Sequence, residues 1–240
     1  MPVNTQISVA GSQKVANVWT GDQLLADEGS YFVAQNATVG TAIAMTTSVV
    51  DDAATASSTH AQYSPYLYMY NRGVPGDLNS KSIYLKYIKL FSRVGDQAWS
   101  SATQALFSLR SDNQNRYTSG GTALTVSNQN TNSSNTTAAI WYAGANVVSL
   151  PNTTTQRVLG HGLIQSTIPL VGSTWIWSFG DVGMNTNFGY ASVINSLTIP
   201  NGPIVIAPGW SLQLDIWATA LAAAPTFEVE IGYAERFAGL

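Results

Sequence analysis

Two segments near the C-terminus alternate strictly between apolar and polar residues, and a period of two is typical of a half-buried β-strand. They are residues 211–217 (SLQLDIW) and residues 226–233 (TFEVEIGY). The apolar positions are Leu212, Leu214, Ile216, Phe227, Val229, Ile231 and Tyr233. Because successive side chains of a strand point to opposite faces, each segment buries one side and leaves the other polar. This constraint favours an antiparallel sheet over a helical fold.

Weaker alternation recurs along the chain, and turn-forming residues separate the segments. The further predicted strands are residues 31–35, 39–50, 66–70, 83–91, 105–110, 124–126, 139–142, 147–150, 163–170, 174–179 and 203–206. The predicted turns, rich in Gly, Pro and Asn, are residues 73–76, 119–121, 201–203 and 208–209. Helical patterns are weak, since residues 51–59 have no apolar stripe and the second half of residues 99–109 favours a strand. The sequence predicts an all-β protein, a jelly-roll-like antiparallel β-sandwich with little helix.

Charge is scarce in this chain: only 10% of the residues are charged, against roughly 25% in ordinary soluble proteins. With 10 Lys and Arg against 13 Asp and Glu, it lacks the basic surface that binds nucleic acids. No apolar run reaches the roughly 18 residues of a membrane span, and the first residues show no signal peptide. We therefore expect neither a nucleic-acid nor a membrane partner. The polarity comes from Ser, Thr, Asn and Gln, which suits permanent contact with other proteins.

Residues that could support catalysis or bind a metal are few. The absence of Cys excludes disulfides, thiolate metal sites and Cys nucleophiles. The two histidines are His60, in a Ser/Thr/Ala stretch, and His161, between two glycines, and no Gly-x-Ser-x-Gly motif accompanies them. Nucleotide-binding glycine motifs and the Asp-x-Asp-x-Asp-Gly calcium motif are also missing. We predict a protein that is not an enzyme and has no metal and no cofactor.

Three acidic residues gather on the two alternating segments: Asp215, Glu228 and Glu230. If these strands form a hairpin, all three carboxylates lie on one sheet face. Such a face is typical of the polar side of a sandwich, or of an acidic patch that meets Arg or Lys of a neighbouring subunit. Acid–base chemistry on a glycoside and Ca²⁺ binding are the alternatives.

Aromatic residues alternate on two predicted strands. Trp175 and Trp177 share one side of the first, and Tyr66, Tyr68 and Tyr70 share one side of the second. Such rows are typical of core or interface anchors. Stacking on a sugar is the alternative.

A polar stretch at residues 126–137 (VSNQNTNSSNTT) carries Asn132 and Asn135. It is too short to link two domains, and strand-like segments flank it. We predict a loop or a polar strand edge, and we expect Asn132 and Asn135 to contact neighbouring proteins. Both also fit the Asn-x-Ser/Thr acceptor pattern, which chance alone produces in a chain this rich in Asn, Ser and Thr.

Two longer stretches point to a family. The first reads RYTSGGTALT at residues 116–125 and continues to AIWYAG at residues 139–144. The second reads GPIVIAPGWSLQL at residues 202–214 and closes with PTFEVEIGYAER at residues 225–236. Together they resemble the jelly-roll cement or decoration proteins of tailed bacteriophages, which sit on a capsid shell. The resemblance implies a homodimer or homotrimer that binds the major capsid protein of the same virion, clamps neighbouring capsomers and catalyses nothing.

The expected function is therefore that of a virion structural protein, made in the host cytoplasm and located on the capsid surface. Residues 61–240 are predicted to form the jelly roll, within one compact domain overall. Residues 1–60 do not share the resemblance and are predicted to be an arm or extra strands on the sandwich or on a neighbouring subunit. The interface candidates are Asp215, Glu228, Glu230, Trp175, Trp177, Asn132 and Asn135. The alternatives are a shell-forming jelly-roll capsid protein, against which the missing Arg-rich arm counts, and a carbohydrate-binding β-sandwich.

Overall fold

The computed structural model describes residues 3–6, 15–18, 21–38, 40–44, 65–92, 105–147, 157–165, 172, 174–180, 204–218 and 226–238. Within these residues the chain forms antiparallel strands and one short helix. Two large sheets share a core, so the predicted all-β class is confirmed. The finer jelly-roll assignment stays a prediction, as does the division at residue 60.

The helix is α1 (Gly21–Asp27). The strands are β1 (Val3–Gln6), β2 (Val15–Val18), β3 (Tyr31–Gln35), β4 (Ile43–Ala44), β5 (Leu67–Asn71), β6 (Lys81–Ser92), β7 (Ala105–Asp112), β8 (Tyr117–Ala123), β9 (Thr125–Asn128), β10 (Ala139–Val147), β11 (Arg157–Gln165), β12 (Thr174–Ser178), β13 (Ile204–Ile206), β14 (Ser211–Ala218) and β15 (Thr226–Phe237). The predictions made for residues 45–60, 99–104, 148–150, 166–170 and 201–203 lie outside the described residues.

The strands form two large sheets and one small one. The six-stranded sheet has the order β11-β7-β14-β5-β10-β8. The seven-stranded sheet has the order β12-β6-β15-β3-β9, with β13 also paired to β6 and β4 to β15. Strands β1 and β2 pair with each other. The chain repeatedly crosses between the large sheets, so each sheet collects strands from distant parts of the sequence.

The inner faces of the two large sheets meet in one apolar core. Strands β14 and β15 supply their alternating apolar residues to it, as their sequence pattern predicts. These core residues are Leu212, Leu214, Ile216, Phe227, Val229, Ile231 and Tyr233. Aromatic rings cross between the sheets: Tyr66 meets Phe227 edge-on, with ring centroids 5.7 Å apart, and Trp141 lies 5.8 Å from Tyr233.

Strands β14 and β15 do not form the predicted hairpin. Strand β14 lies between β7 and β5 in the six-stranded sheet, whereas β15 lies between β6 and β3 in the other. The prediction was wrong because two half-buried strands that follow each other in the sequence can bury their apolar sides in two ways. They can pair within one sheet, or they can belong to two sheets that pack face to face across a core. The acidic residues of the two strands therefore lie on opposite outer faces of the sandwich.

A second correction concerns residues 119–121, which were predicted as a turn. They lie within β8, at the edge of the six-stranded sheet. Gly120 and Gly121 have φ of 72° and 78°, and a Cβ at Gly121 would lie 2.9 Å from Ala145 Cα. The glycines here allow a distorted edge strand to approach β10 closely, and they do not form a turn. At Leu124, which is buried, the chain passes from β8 to β9 and so changes sheet.

Helix α1 was not predicted, because seven residues are too short to show a helical period. Its C-terminus is a Schellman motif: the Ser30 N–H donates to the Leu25 carbonyl at 2.8 Å, and the Gly29 N–H donates to the Ala26 carbonyl at 3.0 Å. Gly29 has φ of 69°, the left-handed conformation that this motif requires. The helix thus turns directly into β3.

A bulge in β6 keeps both halves of this long strand facing the core. Its inward residues are Ile83, Leu85, Ile88 and Leu90, a spacing that slips by one residue in the middle. Lys86 is skipped in the pairing, since the residues on either side of it pair with Gly232 and Tyr233 of β15. Without the bulge, the extra residue would turn the apolar side chains of one half of β6 to the outer face. With it, both halves keep them in the core.

Close packing at this bulge predicts an effect of Gly232→Ala. The new Cβ would overlap Tyr87 Cε1, so the ring must move and weaken the 2.9 Å hydrogen bond from the Tyr87 hydroxyl to Glu230. We expect the free energy of unfolding, measured by urea denaturation, to fall by about 1–3 kcal/mol. Gly160→Ala is the control, because its Cβ would meet no atom within 4 Å. Equal losses in both variants would contradict the packing argument.

Candidate interaction surface

The carboxylate of Asp215 is buried on the outer face of the six-stranded sheet, within a cluster of polar side chains. Arg110 Nε lies 3.6 Å from Asp215 Oδ2, and Gln213 Nε2 donates to both carboxylate oxygens at 3.1 and 3.2 Å. Burial raises the pKa of Asp215 to about 6, although Arg110 and Gln213 act in the opposite direction. This carboxylate is thus engaged within its own chain.

Backbone register places a serine, a histidine and an aspartate on adjacent strands beside this cluster. Ser108 of β7 pairs with His161 of β11 on one side and with Asp215 of β14 on the other. Ser108 therefore occupies the middle position, which in a Ser-His-Asp triad belongs to histidine. Its buried Oγ accepts a 2.8 Å hydrogen bond from Arg110 Nε. The Ser108 hydroxyl thus satisfies part of the buried Arg110 guanidinium.

The other two acidic candidates, Glu228 and Glu230, lie on the outer face of the seven-stranded sheet, because they alternate with the core residues of β15. Glu230 Oε1 accepts a hydrogen bond from the Tyr87 hydroxyl, and Glu230 Oε2 lies 3.5 Å from Lys89 Nζ. Burial, followed by the Glu230 carboxylate, raises the pKa of Tyr87. Glu230 remains half-buried and already has a cationic neighbour in its own sheet.

The aromatic candidates separate into inner and outer groups. Trp175 and Trp177 are partly buried and pack against the core, where Trp175 meets Phe227 edge-on at 5.6 Å. The predicted row of three tyrosines is divided: Tyr66 enters the core and donates to the Phe227 carbonyl at 3.2 Å. Tyr68 packs in a separate cluster with the partly buried Tyr70. The tryptophans therefore contribute to packing within this chain.

The Asn-rich loop, residues 129–138, caps the C-terminal end of α1. Asn130 Nδ2 donates to the Asp27 carbonyl at 2.7 Å, and Asn135 Nδ2 donates to the Glu28 and Gly29 carbonyls at 3.3 and 3.1 Å. These carbonyls lack partners within the helix, so the side-chain amides satisfy them. Asn132 is exposed on the same loop. Of the two predicted contact residues, Asn135 therefore has an internal structural role.

Several connections meet at one end of the sandwich, which we call the apical end. It comprises residues 72–80, 113–116, 129–138, 207–210 and 235–238. Arg72 Nη2 donates to the Thr137 carbonyl at 2.8 Å, and Ser211 Oγ donates to the Gln114 carbonyl at 2.7 Å. The Gly209 N–H donates to the Asn71 carbonyl at 3.0 Å. The apical loops are thus bonded to one another or to the sheets.

Glu235 is the buried centre of the apical end. Its Oε1 accepts hydrogen bonds from Thr137 Oγ1 at 2.6 Å and from the Ala138 N–H at 2.8 Å. Its Oε2 lies 3.4 Å from Lys81 Nζ. Thr137 Oγ1 also lies 2.8 Å from the Tyr233 hydroxyl. One carboxylate therefore joins β15, β6 and the Asn-rich loop.

Three apolar side chains project at the apical end: Val74, Leu78 and Phe237, which are 61%, 70% and 49% exposed. Ser80 lies among them, because its Oγ accepts from the Val74 N–H at 2.9 Å and its carbonyl accepts from the Ala238 N–H at 2.8 Å. Leu78 is two residues away in the same loop. We call these three side chains the apical patch.

Sequence reasoning missed both the apical patch and Glu235, yet each leaves a signal. Val74 and Leu78 are apolar residues inside a turn segment, where polar residues are expected. Glu235 falls on the apolar side of the β15 alternation, two residues after Tyr233. A carboxylate at an inward position predicts a buried, paired charge.

Comparison of the chain with protein-family models, with curated proteins and with solved structures finds no match. Among the described residues, no helix has the length and apolar character needed to cross a bilayer. The same part of the chain contains no group of three His, Cys, Asp or Glu side chains able to hold a metal ion. The apical end, with its exposed apolar side chains on hydrogen-bonded loops, is the candidate interaction surface.

The role of Glu235 predicts a large effect of Glu235→Ala. The change removes the acceptor of Thr137 and Ala138 and leaves Lys81 without its partner, so we expect the free energy of unfolding to fall by about 2–4 kcal/mol. The matched control is Glu230→Ala, in the same strand but half-exposed, which should cost at most about 1 kcal/mol. Chemical denaturation compares the two variants, and similar losses would refute the central role of Glu235.

The raised pKa of Asp215 predicts a specific dependence of stability on pH. The folded protein binds the Asp215 proton more tightly than the unfolded chain, whose carboxyl has its ordinary pKa of 3.8. This group therefore contributes stability that is full below about pH 4 and is lost as pH rises through about 6.

Asp215→Asn should remove this contribution and add a constant loss, because Arg110 stays buried without its carboxylate. The stability of the wild-type protein relative to the variant should rise by about 1–3 kcal/mol between pH 7 and pH 4. Urea denaturation across this range measures the difference, with Glu230→Gln as the control. A difference that does not change with pH would contradict the prediction.

Proposed function

We propose that the chain is a non-enzymatic structural protein of a tailed-bacteriophage virion, a cement or decoration protein that binds the capsid shell as an oligomer. The observation that carries the proposal is the apical end, where a bonded framework of loops presents exposed apolar side chains. Preorganised apolar side chains on a sandwich end suit protein binding, since little conformational freedom is lost on docking. The resemblance of residues 116–144 and 202–236 to phage decoration proteins supplies the identity of the partner.

The distribution of charge supports the same proposal. Asp215 pairs with Arg110, Glu235 with Lys81 and Asp112 with Arg116. These three pairs use part of the charge of the chain to hold the fold, and only 10% of all residues are charged. A weakly charged surface suits a protein that is covered by neighbours in a permanent assembly. In this proposal the protein is made in the host cytoplasm and ends on the capsid surface, against the major capsid protein and other copies of itself.

The alternative of a sugar-binding sandwich has weaker support. It relied on Trp175 and Trp177, and both pack against the core. An indole that is edge-on to Phe227 offers less free surface to a sugar ring. A glycan-array signal that Trp175→Ala abolishes would reverse this ranking.

Electron microscopy of intact particles tests the proposed function. We expect the protein at regular positions on the outside of the capsid, and we expect capsids that lack it to break at lower temperature or milder osmotic shock. Adding back the purified protein should restore the resistance. Capsids that are equally resistant without it, together with no binding of the added protein, would overturn the proposal. Closed particles formed by the purified protein alone would instead identify the shell-forming protein.

A further inference from the structure

We propose that copies of this chain join by exchanging strand β15, so that residues 226–237 of one copy lie between β3 and β6 of another. We call the space between β3 and β6 the β15 groove. Its occupant is defined by the structure, because β15 of the same chain fills it. The inference deepens the oligomer of the proposed function, and it rests on that function only for the shell that brings copies together.

The β15 groove is one strand wide and binds its occupant by backbone pairing on both sides. Strand β15 pairs with β6 from Phe227 to Phe237 and with β3 from Glu230 to Ala234. Among the described strands, no ladder joins β3 directly to β6. Without β15, two strand edges would therefore face each other with unpaired N–H and C=O groups, and such edges take up another strand.

The inner wall of the groove recognises the inward side chains of β15. Phe227 lies edge-on to Tyr66 and to Trp175, with ring centroids 5.7 and 5.6 Å away. Tyr233 stacks on Phe32 at 5.7 Å. When a strand is bound in this way, backbone hydrogen bonds give affinity and pockets for alternate side chains give specificity. The groove is therefore selective for the sequence of β15.

Buried polar groups fix the register of β15 in the groove. Asn36 Oδ1 accepts a 2.7 Å hydrogen bond from the Val229 N–H, and the Tyr66 hydroxyl donates to the Phe227 carbonyl at 3.2 Å. Asn36 and Tyr66 are only 5% and 1% exposed. A slip by one residue would break both bonds and turn Phe227 to the outer face. The groove therefore accepts residues 226–237 in a single register.

The position of β15 in the chain leaves it free to pair with another copy. Strand β14 lies in the other sheet, so no hairpin with its predecessor holds β15 in place. Only three residues follow β15 in the sequence. Its transfer to a second copy therefore requires no rearrangement of a later strand.

The connection from β14 has the length to reach a second copy. Residues 219–225 join the two strands, and seven extended residues span about 25 Å. Two sheets that pack face to face are only about 10 Å apart. An exchanged β15 makes the same contacts as an unexchanged one, so the local concentration of copies decides between the two forms. Copies gathered on one shell have a high local concentration, which favours exchange.

The absence of Cys allows an engineered disulfide to report the exchange. Glu230 of β15 pairs with Lys89 of β6, and neither side chain is fully buried. Because paired residues of adjacent strands have a Cα separation that suits a disulfide, Lys89→Cys/Glu230→Cys links β15 to the groove that holds it. The matched control is Gln35→Cys/Thr125→Cys, which links β3 to β9 in the same sheet without involving β15.

Both variants are oxidised at high protein concentration and separated on denaturing gels without reductant. We expect most of the oxidised Lys89→Cys/Glu230→Cys protein to migrate as linked dimers or larger species, and at least 90% of the control to migrate as single chains. Reduction should return both to single chains. A β15 disulfide that forms only within single chains would overturn the exchange.

A second measurement decides the matter if the double variant does not fold. Chains that carry only Lys89→Cys are co-expressed with chains that carry only Glu230→Cys. Exchange places the two thiols in register, so mass spectrometry of the digested protein should find the mixed 89–230 disulfide at least 10-fold more often than either like pair. Like pairs without the mixed disulfide would contradict the proposal.

The outcomes distinguish this inference from the proposed function. Chains that are linked through β15 but do not sediment with capsids lacking the protein would support exchange and overturn the decoration role. Disulfides within single chains, in a protein that still sediments with those capsids, would overturn exchange alone. Light scattering of the wild-type protein then shows whether copies associate through another surface.

Discussion

The structure depends on two sheets burying one face each against the other. A sheet that keeps only alternate side chains apolar is not stable alone, because half of its apolar area would stay in water. Every strand must therefore keep its apolar side chains on the same face along its whole length. The bulge at Lys86 illustrates this requirement. It accommodates one extra residue in β6, so that Ile83 and Leu90, on either side of it, both reach the core.

Buried charged groups occur at two places outside the apolar core: at the apical end and on the outer face of the six-stranded sheet. At the apical end, the inward position of β15 is taken by Glu235 instead of an apolar residue. Its hydrogen bonds with Thr137 and Ala138 hold the end of the Asn-rich loop against β15. On the outer face of the six-stranded sheet, Arg110 and Asp215 are buried together. Few charges are available, and some of them are used inside the fold: Arg110, Asp112, Arg116, Asp215 and Glu235 are buried.

Much of the fold can be predicted from sequence, because the alternation of apolar and polar residues within a strand is a local property. Strands β3, β12 and β14 lie where alternation and turn residues place them. The assignment of strands to sheets is a different matter, since alternation shows only that one face is buried and not which partner buries it. This is why β14 and β15 were joined as a hairpin and why Asp215 and Glu230 were placed on one face. Helix α1 depends on a Schellman motif and on amides contributed by residues 129–138, which no local pattern shows.

The candidate site is even harder to predict from local sequence patterns, because it depends on contacts between distant parts of the chain. Trp175, Glu228 and Asn135 attract attention as residue types, but their contacts are set by strands and loops distant in sequence. The apical patch is assembled from residues 74–78 and from Phe237, more than 150 residues apart. The pairing of Lys81 with Phe237 and the hydrogen bond from the Ala238 N–H to the Ser80 carbonyl bring them together.

The edges of the sheets bear on how copies can associate. Strand β11 has two register shifts against β7, and β8 contains consecutive glycines with positive φ. Irregular edges of this kind hinder the addition of another strand. Association through backbone pairing is therefore disfavoured at these two strands, which leaves loops and side chains as the means of contact along the edges of the six-stranded sheet.

The central position of β15 has a consequence for synthesis. Strands β3 and β6 are joined in the seven-stranded sheet only through β15, which lies about 150 residues after β6 begins. A growing chain on the ribosome thus has β3 and β6 long before it has the strand that lies between them. Until residues 226–237 emerge, the inner edges of both strands stay open to wrong partners, and long-range closure of this kind is slow. We expect the nascent protein to need shielding during translation, although the finished sandwich protects those same edges itself.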